Sequence, residues 1–332
     1  MSQTMPSSYR ELFARLKECD DPIERALLAR LLDEYNRNHD NDFAEVERFV
    51  SEAVAAACPR CGSRQSKKMG KAPSGAQRLM CKRCGRTFNA ASRTPLFGTK
   101  VNMAAWMSFL ECLISGSSVK TACVAAKVSL PTGSRWMGKI FDAVEHYQDS
   151  TVLSGKVWID ETYVDVNSSE RVESDEIGKV RKVRMKLRGI SRNKICVLAA
   201  TDGGRCFAFV CGTGRPRKAK NLEICSAHVS RGSTIVGDID TSMQLAADTL
   251  GLKRVMYKSN TYEAYENLAP IDGVCDRLKL FVRKHRGFDK HNLQRWCNLF
   301  AFMENEKHFD PDIFSVSKRL LIMIISTDKT RK

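Results

Sequence analysis

No apolar run in the 332 residues reaches the roughly 18 that a membrane span requires. The first residues also lack the basic flank and apolar core of a secretory signal, so the sequence points to a cytoplasmic protein with no membrane partner. Negative charge is in short supply. Asp and Glu number 38 against 54 Lys and Arg, which leaves a formal net charge of +16 and a pI near 9.4. Such an excess favours a polyanionic partner, nucleic acid before a membrane surface. The 13 cysteines are an odd number scattered through a long basic chain, a pattern that suits reduced thiols and metal ligation better than a disulfide framework.

The length allows two or more domains, one with a sizeable core. Residues 1–54 read as a helical N-terminal region, with Leu12, Leu16, Leu28, Leu31 and Leu32 at helical spacing, a turn around Asn36–Asn41 and a second amphipathic segment from Phe43 to Val54. No chemistry is visible there.

Residues 55–100 carry Cys58-Pro-Arg-Cys61, nineteen further residues, then Cys81-Lys-Arg-Cys84. Two short knuckles at this separation predict a tetrahedral four-cysteine site for one structural Zn2+, with all four positions filled by protein. Gly62 and Gly85 each follow the second cysteine of a pair, where a knuckle has to turn its backbone sharply. Arg64, Lys67, Lys68, Lys71, Arg78, Lys82, Arg83 and Arg86 surround the pairs without an acid among them, so this ribbon reads as a docking module for nucleic acid or protein.

Residues 101–150 give three helical segments, Asn102–Ile114, Ser118–Lys127 and Pro131–Tyr147. A short helix, a tight turn and a longer helix suit a helix-turn-helix, with Arg135 and Lys139 among the residues facing DNA; a plain three-helix spacer is the alternative. Cys112 and Cys123 read as core residues.

Within residues 151–310, Val157-Trp-Ile-Asp160-Glu161-Thr-Tyr-Val164 is a strand by composition, since β-branched and aromatic residues fill six of its eight places. Side chains alternate along a strand, so Asp160 and Glu161 point to opposite faces and only one can serve a given site. An edge strand with solvated acids is the bland alternative. An acidic patch, Glu170–Glu176, then leads into Lys179–Lys194, which holds eight Lys or Arg and no acid. That run, with Lys182, Arg184, Lys186 and Arg188, and the later loop with Arg215, Arg217 and Lys218, read as backbone-phosphate tracks or as solvated loops. Ile195–Thr201 and Arg205–Cys211 form a hairpin about Asp202-Gly203. Ser233–Asp240 is a strand whose acids, Asp238 and Asp240, fall at its C-terminal end ahead of a helix over Thr241–Leu250, a typical location for a site in an α/β sheet. Pro270–Arg283 predicts a helix with Asp272, Asp276, Lys279 and Arg283 on one face. Phe288–Glu304 is a further helix, and residues 311–332 read as a C-terminal tail.

In this order the chain resembles the DDE insertion-sequence transposases with an N-terminal zinc ribbon. The resemblance covers roughly residues 55–305. It rests on the four cysteines with Cys84-Gly-Arg-Thr-Phe88, on Ile159-Asp-Glu-Thr-Tyr163, and on Pro270-Ile-Asp272 followed by Lys279, Gly287 and Leu293-Gln-Arg-Trp-Cys-Asn-Leu-Phe300. The resemblance implies an α/β fold, an RNase H-like mixed sheet flanked by helices, with the helical region, ribbon and helix-turn-helix-like segment before it. It further implies cutting of element ends and their joining to target DNA, with Asp160, Asp238 and Asp272 holding two Mg2+ or Mn2+ ions and Lys279 contacting a DNA phosphate. The chemistry fits, because hard divalent ions take carboxylate oxygens and a pair of them can activate a nucleophile and stabilise a leaving oxygen. Asp240 remains an alternative for the second acid, and Asp272 stands where the family usually has Glu. His285 and His291 are expected to be backbone-phosphate or surface residues. The implied partners are double-stranded DNA and a second copy of the chain, as a homodimer or higher oligomer in a prokaryotic nucleoid. A non-enzymatic DNA-binding regulator and a degenerate, inactive transposase are the competing readings.

Overall fold

The computed structural model describes residues 57–72, 77–89, 92, 95–96, 101, 103–165, 170–174, 180–184, 194–216, 218–285 and 290–327. The helices expected over residues 1–54, together with Lys186, Arg188, Arg217 and Gly287, lie outside that set. The chain divides into two compact units, Met1–Lys139 with Ile313–Lys332, and Ile140–Asp312.

In the first unit, β1 (Ser66–Lys71), β2 (Gln77–Cys81) and β3 (Thr87–Asn89) form an antiparallel three-stranded sheet. Cys58, Cys81 and Phe88 are its buried centre, too few residues for an independent core. Three helices follow, α1 (Met103–Ile114), α2 (Val119–Ala125) and α3 (Leu130–Val144). Ser118 caps α2 by accepting a hydrogen bond from the Thr121 amide. The close approach of α3 to α2 depends on Gly133, where a Cβ would lie 2.2 Å from Cys123 Sγ. Trp106 of α1 stacks on Trp136 of α3 with ring centroids 3.8 Å apart. Residues 313–326, expected as tail, are instead a helix, α8 (Ile313–Ser326), that packs on α1. Its Val316, Leu320, Leu321, Ile324 and Ile325 recur at helical spacing and are all buried.

The second unit is built on a five-stranded mixed sheet. Its strands are β4 (Lys156–Asp165), β7 (Lys194–Thr201), β8 (Cys206–Thr213), β9 (Thr234–Asp238) and β10 (Lys253–Tyr257), in the spatial order β10-β9-β4-β7-β8. β4, β7 and β8 run antiparallel as a meander, while β9 and β10 run parallel to β4. This order, with α4 (Lys218–His228) and α5 (Thr241–Leu250) on one face and α6 (Tyr262–Lys284) and α7 (Leu293–Phe309) on the other, is the RNase H-like arrangement. The reading of β4 as an edge strand is overturned, because β4 is the central strand and is hydrogen-bonded on both sides. Ile159, Leu198, Phe207, Ile235, Met243 and Ala246 join the core on the α4/α5 face. A fully buried side chain of the Val, Leu, Ile, Phe or Met type contributes about 1.5–3 kcal/mol, so this layer is a main source of the unit's stability.

Between β4 and β7, β5 (Glu170–Ser174) and β6 (Val180–Arg184) form a separate two-stranded hairpin. The acidic patch and the start of the basic run are therefore two arms of one ladder, with Glu170 opposite Arg184 and Glu173 opposite Arg181. Lys182 and Arg184 lie on β6. The open edge of β8 is closed by side-chain amides. Asn305 accepts from the Cys206 amide and donates to its carbonyl, Gln148 does the same with Ala208, and Gln294 accepts from the Val210 amide. These bonds satisfy backbone groups that would otherwise be buried unpaired or offered to another strand.

Candidate active site

The register of the sheet sets the first two acids side by side. Trp158 of β4 pairs with Val236 of β9 in a parallel ladder. Two residues further along both strands come Asp160 and Asp238, on chains that sit about 4.8 Å apart in such a ladder. Gly237 permits the approach: a Cβ there would stand 2.7 Å from the Ile159 carbonyl oxygen. Gly237→Ala is therefore expected to lower the unfolding free energy by about 1–3 kcal/mol through overpacking, measured by urea denaturation, and to slow any reaction that needs both acids.

Helix α6 supplies the third acid. It lies over the face of β4 that carries Trp158, Asp160 and Thr162. The Trp158 indole N–H donates to the Asn267 carbonyl at 2.8 Å, and the Cys275 thiol lies 3.9 Å from Asp160 Oδ2. Asp272 falls between these anchors, one turn before Cys275. The expected helix from Pro270 is thus only the second part of α6. The helix starts at Tyr262 behind the cap Thr261, and Pro270 is inside it.

Asp160, Asp238 and Asp272 line a single cavity of 260 Å³. Its other wall comes from the β10–α6 connection and the start of α6, with Ser259, Asn260, Thr261 and Tyr265, and its floor includes Ile159, Leu268 and Ile271. Burial, reinforced by the charges of Asp238 and Asp272, pushes the Asp160 carboxyl up to about 6, against the opposing pull of the Glu161 amide and Lys279. Burial and the neighbouring Asp238 and Asp276 also raise the Asp272 carboxyl, and Lys279 again opposes the shift. Lys279 Nζ lies 3.6 Å from Asp276 Oδ1. Asp238 Oδ2 accepts a hydrogen bond from Ser259 Oγ at 2.8 Å. The three acids offer carboxylate oxygens, which hard divalent cations favour, while among the described residues it is the four ribbon cysteines whose ligand atoms lie within 4.8 Å of one another.

Asp240 has a different environment. It caps α5, accepting from the amides of Ser242 and Met243 and from Ser242 Oγ at 2.6 Å, and it does not line the cavity. Burial pushes its carboxyl up, but the Ser242 and Met243 hydrogen bonds and the Arg215 charge outweigh that and hold it below the usual range. Glu161, on the opposite face of β4, accepts hydrogen bonds from Asn221 Nδ2 at 2.6 Å and from Tyr163 Oη at 3.0 Å. Strand alternation therefore separates Asp160 from Glu161 as the sequence indicates.

Among the basic candidates, Arg135 is exposed on α3, and its Nε donates to the Pro131 carbonyl at 3.3 Å. Lys139 lies with its Nζ 5.7 Å from the Trp106 ring centroid, which places it over an aromatic face. Arg215 and Lys218 are exposed around the start of α4. His285 corrects the surface expectation. It is buried, stacked on Trp296 with centroids 4.3 Å apart, and burial depresses its imidazole to about 4. His291 is exposed. Ser259, Asn260, Tyr265 and Cys275 were not singled out in the sequence. The Ser-Asn-Thr run before a helix is a recognisable cap signal, but nothing local relates it to Asp160.

In the ribbon, Cys58 Sγ and Cys84 Sγ are 3.6 Å apart, as are Cys61 Sγ and Cys81 Sγ, and the four sulfurs all lie within 4.8 Å of one another. A tetrahedral zinc with Zn–S bonds of about 2.3 Å sets its sulfurs about 3.8 Å apart, so this cluster could hold a zinc ion. The two knuckles repeat one geometry. Gly62 and Gly85 both have φ of 71°, and their amides donate to the carbonyls of Cys58 and Cys81. Among the described residues no helix is long and apolar enough to cross a membrane.

Residues 152–305 match the ISXO2-like transposase domain. No curated protein matches the sequence. Among solved structures the chain is similar to the Mos1 mariner paired-end complex with Mn, at 12% identity over 64% of this chain and 74% of that one with a TM-score of 0.30. It is similar to the Mos1 strand transfer complex at 12% identity over 67% and 78%, TM-score 0.31. The catalytic domain of Mos1 mariner transposase matches at 10% identity over 58% and 92%, TM-score 0.29. The stretch similar to the ISXO2-like transposase domain covers the sheet, α4, α5 and α6 and all three acids of the cavity, and a four-cysteine cluster near the N-terminus precedes it.

Proposed function

We propose that the protein is a DNA transposase of the DDE type, cutting the ends of an insertion sequence and joining them to target DNA. The observation that carries the proposal is the convergence of Asp160, Asp238 and Asp272, from β4, β9 and α6, on one cavity in a domain of transposase type. Asp160, Asp238 and Asp272 are the residues that would hold divalent metal there. Mg2+ or Mn2+ bound there supplies activation of the attacking oxygen and stabilisation of the leaving one. The remaining residues orient and balance charge. Ser259 fixes the Asp238 carboxylate, Cys275 packs behind Asp160, and Lys279 offers a cation for a DNA phosphate. Asp240 is assigned to capping α5, because its Oδ1 accepts from the Ser242 and Met243 amides there and the residue does not line the cavity.

The basic surface of the ribbon and the exposed Arg135, Arg215 and Lys218 would neutralise DNA phosphates, with one Zn2+ per chain holding the ribbon's shape. The test supplies the full-length protein with Mg2+ or Mn2+ and duplexes carrying the inverted repeats that flank the gene. Expected products are a nick exposing a 3′-hydroxyl at the element end and joined strands in target DNA. Zinc-loaded, DNA-binding protein that yields neither product would overturn the proposal in favour of a regulator or an inactive relative.

A further inference from the structure

The acids account for one wall of the cavity, and on the other only Ser259, bonded to Asp238, has a role so far. That wall holds Tyr265, whose side chain lines the pocket while remaining 76% exposed, and Tyr262 lies one helical turn away at 74%. Among the described residues the exposed Phe, Tyr or Trp side chains are Tyr262, Tyr265 and Phe309, so two of the three stand near the start of α6, where Tyr265 lines the acidic pocket and Tyr262 Oη donates to Glu266 Oε1. The platform beneath them is held in place. Thr261 Oγ1 accepts from the Ala264 amide and donates to the Lys258 carbonyl, and Ser259 is tied to Asp238. Asn260 lines the same wall with φ of 63°, a left-handed conformation that Asn tolerates better than most residues. Its amide offers a donor and an acceptor, and Leu268 and Ile271 give the floor an apolar surface.

An aromatic face, an amide and an apolar floor next to carboxylates are what a single unstacked base would require, with its phosphate toward the acids. The volume, 260 Å³, lies just under the range of about 300–1,000 Å³ typical of drug-sized ligands, which suits one nucleotide and not a length of duplex. Enzymes that hold a base outside the duplex offset the cost of unstacking it by stacking it against aromatic or apolar side chains. Resting on the DDE reading of the cavity, we infer that Tyr265, with Asn260 beside it, forms a subsite for a nucleotide base turned out of the duplex next to the scissile phosphate. Tyr262 extends the platform.

Stacking on one aromatic ring corresponds to roughly 5- to 150-fold per base on alanine substitution. With full-length protein, Mg2+ and terminal-repeat duplexes, Tyr265→Ala is expected to slow cleavage of a fully paired end by about that factor. A duplex mismatched at the nucleotides bordering the cut, where unpairing is already complete, recovers most of the loss, and Tyr265→Phe, which keeps the ring, retains most of the activity. A second measurement needs no turnover: 5-iodouracil at the bordering positions, irradiated in complex with the Asp160→Asn protein, is expected to cross-link to Tyr265. The inference is overturned if Tyr265→Ala cleaves the paired end like the wild type, if it slows paired and mismatched ends equally, or if the cross-links fall outside Tyr262–Leu268. Failure of the DDE reading has a separate mark, since Asp160→Asn would then cleave both duplexes as fast as the wild type.

Discussion

Asp160→Asn should abolish strand cleavage and joining while leaving DNA binding in place, and it should make the protein more stable. Metal catalysis of this kind supplies several kcal/mol of charge stabilisation, and each 1.4 kcal/mol is tenfold in rate, so a loss of about a thousandfold or more is expected. The gain in stability comes from the environment of Asp160. In the absence of a divalent ion its charge is partly desolvated and faces Asp238 and Asp272, which is why its carboxyl titrates at about 6 instead of the usual 3.8. A folded-state value above the unfolded one means that the unfolded chain releases the proton first. The charge then costs stability, nothing below pH 3.8, increasingly between 3.8 and 6, and fully above 6. Asn carries no charge, so thermal melts without added Mg2+ should favour the variant by up to about 3 kcal/mol at neutral pH and show no difference at pH 3–4. A regulator would keep its function in this variant. A merely misfolded variant would melt lower than the wild type, so melting, gel shift and nicking assays together separate the outcomes.

The second large effect concerns the ribbon. Replacing Cys58 and Cys61 with Ser removes two of four sulfurs that lie within 4.8 Å of one another. Structural zinc in such modules contributes about 10–16 kcal/mol of apparent binding energy to folding, and the apolar centre here is little more than Cys58, Cys81 and Phe88. The ribbon should therefore unfold, with loss of one zinc per chain by metal analysis and loss of end-specific DNA binding. The five-stranded sheet should survive, because its core of Ile159, Leu198, Phe207 and Ile235 includes no ribbon residue. Native-state hydrogen exchange can show this directly, with β4, β7 and β9 protected while Ser66–Asn89 exchanges freely. Zinc content and end binding equal to the wild type would contradict the assignment.

Local chemistry made much of the site legible. The two Cys-x-x-Cys pairs implied their cluster, because ligand spacing within a knuckle is a short-range property. Alternation along β4 was enough to divide Asp160 from Glu161, since successive side chains leave a strand in opposite directions. The helix over Thr241–Leu250 was legible in the sequence, and the structure adds that Asp240 Oδ1 caps it through the Ser242 and Met243 amides while Asp238 lines the cavity. Other elements were read wrongly for local reasons. Pro270 looked like a helix start because proline usually opens a helix, yet α6 continues through it from Tyr262. The residues after 311 looked featureless, yet α8 forms by burying an apolar stripe against α1, a partner some two hundred residues away in the chain.

Taken by itself, the sequence determined most of the element types, the four-cysteine cluster, the excess of positive charge and the three acids worth watching, since each of these follows from interactions among near neighbours. Only the tertiary structure decided that β4 is central, that Gly237 lets Asp238 reach the level of Asp160, that α6 brings Asp272 over both, and that Tyr265 forms the opposite wall. Those facts depend on strand register and on the packing of a helix across a sheet. Both are set by contacts between residues far apart in the chain, which no local pattern encodes.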